Sequence, residues 1–75
     1  MKKKQETFYR LTIKDTLSNT SQEQPLAYHT ESAALDSAYK ILDEDGGIGG
    51  IIQAEGRYIL WSDKDTVIEV NPIQI

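Results

Sequence analysis

One segment of the chain carries a helical apolar stripe, and the segments around it read as strands and turns. Ala34, Leu35, Ala38, Ile41 and Leu42 recur at three- and four-residue intervals, with Asp36, Ser37, Lys40, Asp43 and Glu44 on or near the other side and Tyr39 at the border. Thr30 is suited to cap this helix, because its side-chain oxygen can accept from an orphan amide of the first turn, and Glu31 favours the positive end of the helix dipole. The helix is predicted to run to about Asp45, and Gly46 supplies a left-handed C-terminal cap. Asp43, Glu44 and Asp45 lie where the dipole is negative, so the end should fray unless a cation or a partner compensates.

A single amphipathic helix needs a sheet to cover, and the remaining apolar residues are patterned to provide one. From Thr7 to Asp15, Tyr9, Leu11 and Ile13 alternate with Arg10, Thr12 and Lys14, which predicts a half-buried strand with Phe8 as the large apolar group on its polar side. Thr16 to Gln24 is polar and reads as a loop, after which Pro25 opens a short strand, Leu26 to Thr30. Beyond the helix, Ile51 to Glu55 and Arg57 to Trp61 form a hairpin about Glu55-Gly56, and Ser62 to Asp65 is a second turn. Thr66 to Asn71 is a last strand, interrupted by Pro72 before Ile73-Gln74-Ile75. The expected fold is α+β: a single antiparallel sheet of about five strands with one helix packed on one face, in the order β-β-α-β-β-β.

The chain of 75 residues has room for one small domain. It has no cysteine, so neither a disulfide framework nor a thiolate metal site can staple it, and stability must come from packing and from any second subunit. Three of its eight basic residues, Lys2, Lys3 and Lys4, lie in a terminal run, residues 1–5, expected to be a solvated tail. From Gln5 onward five basic residues face 12 acidic ones, a balance of −7 that repels phosphate backbones. No apolar run is long enough to span a bilayer, and the expected location is cytoplasmic.

Motifs for chemistry are sparse. The cluster Gly46-Gly47-Ile48-Gly49-Gly50 follows a helix, whereas a phosphate-binding loop precedes one and aims its positive end at the anion; capping and bending is the better account. Neither Asp43-Glu44-Asp45 nor the Asp63/Asp65 pair has the register of a calcium loop. His29 is the sole histidine, which excludes a paired-histidine zinc site within one chain, and no motif sets a serine and an orienting acid beside it. The expectation is a protein without cofactor, metal or enzymatic activity.

The apolar residues left over after the core is filled are more informative. If Tyr58 and Leu60 face the helix, Ile59 and Trp61 face away, joined by Phe8, by Ile51 or Ile52, and by Val67 or Ile68. One helix covers one side only, so this second face presents an association surface. The expected function is a small protein-binding module, an inhibitor or adaptor of bacterial or bacteriophage type, with Phe8, Ile59 and Trp61 as anchors and Asp43, Glu44, Asp45, Asp63 and Asp65 steering a basic partner. Ile73 and Ile75 either tuck against the domain's own sheet or pair with a second copy in a homodimer. The alternative is a nucleic-acid platform, with Phe8, Tyr58 or Trp61 under bases and Lys2 to Lys4, Arg10 and Lys14 on phosphates.

Overall fold

The computed structural model describes residues 6–74. The elements are β1 (Thr7–Asp15), β2 (Thr20–Tyr28), α1 (Glu31–Glu44), β3 (Ile48–Ala54), β4 (Arg57–Ser62) and β5 (Thr66–Gln74). They form one five-stranded sheet in the order β2-β1-β5-β4-β3, every neighbouring pair antiparallel, with α1 across one face. This is the α+β architecture expected from the sequence. The first and last strands are central neighbours, and α1 carries the chain from the β2 edge to the β3 edge.

Alternation decides what meets the helix. Leu11 pairs with Val70, Ile13 with Ile68, and Leu60 with Ile68, so these residues project from one face. Leu11, Leu60, Ile68 and Val70 close against Ala34, Ala38 and Leu42 of α1 into a fully buried core, flanked by Tyr9, Ile13, Tyr28, Leu35, Ile41 and Tyr58. The two alanines let the helix lie close to the sheet. At its start, Thr30 Oγ1 accepts from the Ala33 amide at 3.1 Å, as the capping pattern predicts. Its end is drawn in by amides of Asp45 and Gly47, which donate to the Leu42 carbonyl at 3.0 and 2.9 Å around Gly46 at φ +93°.

Three boundaries differ from the sequence reading. Strand β2 begins at Thr20, so the polar stretch whose composition reads as a loop is mostly strand; only Thr16 to Asn19 turns, held by Asp15 Oδ1, which accepts from the Leu17 and Ser18 amides. As an edge strand, β2 is ordered by backbone pairing to β1 and has little to bury, which is why its side chains carry no strand pattern. Pro25 lies inside it, in the irregular stretch between Glu23 and Ala27 where the ladder with β1 is interrupted. Strand β5 passes through Pro72 without a break. Its pairing with β4 ends at Val70, so from Asn71 onward it is paired only to β1, and a proline there costs no bond on the other side.

The third difference is β3, which starts at Ile48 and takes Gly49 and Gly50 into the strand. Gly50 is directly opposite Trp61, and the indole lies on the strand backbone: a Cβ on Gly50 would come within 2.3 Å of Trp61 Cζ2, and one on Gly49 within 2.8 Å of Cδ1. The two glycines are a seat for an aromatic ring, which a pattern of turn residues does not reveal.

Candidate functional site

The face of the sheet away from α1 has no second layer among the described residues. It divides into two halves of different chemistry. Over the middle of β2, β1 and β5 the face carries two ion pairs: Lys14 Nζ meets Glu69 Oε2 at 2.7 Å, and Arg10 Nη1 approaches Glu23 Oε1 at 3.5 Å. The hydrogen bond and charge of Lys14, with smaller help from Asn71 and Arg57, hold the Glu69 carboxyl below its ordinary range against the opposing effect of partial burial.

Over β3 and β4 the face is apolar. Register places Ile52 opposite Ile59 and Val67 opposite Trp61. Ile59 is 38% exposed and Ile52 53%, while Trp61 and Val67 are half-buried. Toward the β3–β4 turn this strip opens into a shallow groove of about 110 Å³, lined by Ala54, Glu55, Arg57, Ile59, Glu69 and Asn71. At the far side of the sheet, Phe8 packs its ring on His29 with centroids 4.7 Å apart and lies opposite Ile73. Phe8, Ile59 and Trp61 therefore share a face, and Ile52 and Val67 join them, whereas Ile51 and Ile68 fall on the helix side.

The acidic residues gather at one end of the molecule. Asp43 and Glu44 are exposed on the last turn of α1, beside Asp63 and Asp65 of the β4–β5 turn, whose Asp63 amide donates to the Gly47 carbonyl at 3.1 Å. Asp45 has a different duty. Its Oδ2 accepts from the buried Ser62 hydroxyl at 2.8 Å, and Ser62 Oγ in turn accepts from the Lys64 and Thr66 amides. Hydrogen bonds from Thr66 and Ser62, with the charge of Lys64, lower the Asp45 pKa. The cation that the helix end requires is Lys64, whose side-chain carbons pass over Gly46.

Other residues are placed plainly. Ile73 tucks into its own sheet against Phe8, and Ile75 and Lys2 to Lys4 lie outside the described residues. Tyr58 faces the helix and donates its hydroxyl to Glu31 Oε1 at 3.4 Å, so it is not part of the open face. No three metal-ligating side chains converge among the described residues. The sequence reading missed the indole seat and the Ser62 hub. The first was within reach: counting outward from the two-residue turn Glu55-Gly56 pairs Gly50 with Trp61. Comparison with known protein families, characterised proteins and solved structures returns no match to this chain.

Proposed function

We propose that this protein is a non-enzymatic protein-binding module, an inhibitor or adaptor that acts by covering part of a partner's surface. The observation that supports this reading is the apolar strip of the open face, where Ile52 and Ile59 stand exposed beside Trp61 and Val67. A rigid sheet presenting aliphatic groups next to an aromatic anchor suits burial against another protein. The adjacent acidic end, with Asp43, Glu44, Asp63 and Asp65, steers toward a basic partner. The nucleic-acid alternative is weaker for a physical reason: Lys14 and Arg10, the cations of that face in β1, already meet carboxylates.

The test is retention of proteins from a lysate of the source organism on the immobilised wild type and on Ile59→Lys, with the fold of the variant checked by circular dichroism. One stoichiometric protein held by the wild type and released by the substitution supports the reading. Equal retention by both removes the strip from it. A titration with single-stranded oligonucleotide at low salt, followed by Trp61 fluorescence, reads the alternative: quenching at micromolar concentrations favours nucleic acid.

A further inference from the structure

Trp61 is the single tryptophan of the chain, and its ring is laid on glycine backbone. A Cβ at Gly50 would stand 2.3 Å from Cζ2, with Cε2 at 2.7 Å and Cη2 at 3.0 Å. Those distances put it over the ring, because an approach in the ring plane would hold the two flanking atoms farther off. At Gly49 the near ring atoms are Cδ1 and Nε1, at 2.8 and 3.1 Å, so the pyrrole end rests on Gly49 and the benzene end on Gly50. One π face of the indole is therefore closed by β3. The other points away from the sheet, on the side that has no second layer among the described residues, and the side chain as a whole is half-buried.

What this outer face can hold is set by its surroundings. A tryptophan face attracts a cation, and a guanidinium suits it best because the group is planar and stacks. From Trp61 the chain passes into the β4–β5 turn, where Asp63 and Asp65 are exposed. The Asp63 carboxylate lies beside Gly47, with Oδ2 3.8 Å from the place of a Cβ there, two residues before the glycine beneath the pyrrole end. Asp63 makes no ion pair among the described residues. Lys64 lies over Gly46 with its charge acting on Asp45, and Lys14, which is opposite Val67, is taken by Glu69. An open π face and an unpaired carboxylate thus stand side by side. We propose that Trp61 is an arginine platform: the guanidinium of a partner protein's arginine stacks on the outer face of the indole and donates its N–H groups to Asp63. A lysine ammonium brings the charge without the plane, and a nucleotide would set its phosphate against Asp63 and Asp65. This rests on the protein-binding reading and names the group by which that partner is gripped.

The probe is a capped pentapeptide with one arginine among glycines, followed by proton NMR through the one indole N–H resonance. The shift should saturate by about 5 mM. The citrulline counterpart, planar but uncharged, should bind about threefold or more weakly. Asp63→Asn should weaken the arginine peptide to a similar extent. Gly50→Ala, which keeps the indole but lifts it from its seat, should weaken it as well, with the fold of both variants checked by circular dichroism. The absence of a saturable shift overturns the proposal. So does equal binding of the citrulline peptide, or an affinity left unchanged by Asp63→Asn or by Gly50→Ala. A single-stranded oligonucleotide that moves the resonance at lower concentration than the peptide also overturns it, and assigns the face to bases. The two readings fail separately: a lysate protein released by Ile59→Lys but held undiminished by Asp63→Asn removes the arginine platform and leaves the protein-binding module standing.

Discussion

On the helix side of the sheet, Leu60, Ile68 and Val70 are closed over by Ala34, Ala38 and Leu42 and keep none of their surface; on the opposite side Ile52 and Ile59 keep 53% and 38%. The same strands supply both sets, because alternation sends successive side chains to opposite faces. One helix of 14 residues can dry only one of them. The open face is managed by other means: an indole laid on glycine backbone, and ion pairs across the β1–β5 half. The contrast teaches that a small α+β chain can carry apolar residues on both sides of a sheet and still have one core. The side without the helix is where association is cheap.

The largest effect should come from the helix side. Leu60→Ala leaves a cavity beneath α1 and should cost about 3 kcal/mol in urea unfolding. A loss below about 1 kcal/mol would mean that the two faces are packed alike. Gly50→Ala breaks the open face at its one tightly fitted point: the added methyl displaces Trp61, for about 1–3 kcal/mol and a red-shifted emission. The same substitution in a Trp61→Ala background should cost much less, and equal costs would show that the indole seat is not the reason for the glycine.

Ser62→Ala sharpens the comparison at the corner where helix and sheet join. It strips one of two hydrogen-bond partners from the Asp45 carboxylate and the acceptor from two amides, for a loss of about 1–3 kcal/mol. The pH dependence follows from the direction of the Asp45 shift. A carboxyl with a lowered folded pKa stabilises fully above its unfolded value, about pH 4, and that contribution is lost as pH falls through the folded value. Acid unfolding measured between about pH 5 and pH 2 should therefore be shallower in Ser62→Ala than in the wild type. The smallest effect belongs to Ile59→Lys, where stability should stay within about 0.5 kcal/mol of the wild type. A large loss there would place Ile59 in a core that the present fold does not have.

Much of this is legible in the sequence. The stripe from Ala34 to Leu42, the Thr30 cap and the alternation of Tyr9, Leu11 and Ile13 are local patterns, and each element they predict is present. The candidate face was legible in the same way, since Ile59 and Trp61 alternate with Tyr58 and Leu60. Polar β2 was not, because a strand that buries nothing is ordered by its neighbour's backbone and leaves no periodicity in its own side chains. The sequence groups Asp45 with the acids that steer a partner for a similar reason: nothing near it in sequence shows that a serine 17 positions later turns its hydroxyl toward it.

The sequence alone determined the element count, the helix face, the hairpin at Glu55-Gly56 and which residues of β1 and of β4 share a side of the sheet, since these follow from periods of two and 3.6 and from turn chemistry. The tertiary structure decided the rest. That β5 inserts between β1 and β4, leaving β2 and β3 as the edges, depends on pairings such as Thr7 with Gln74 across nearly the whole chain. Strand order is set by which apolar faces can share one helix and by where each backbone finds its partner, and neither is written in any local stretch of residues.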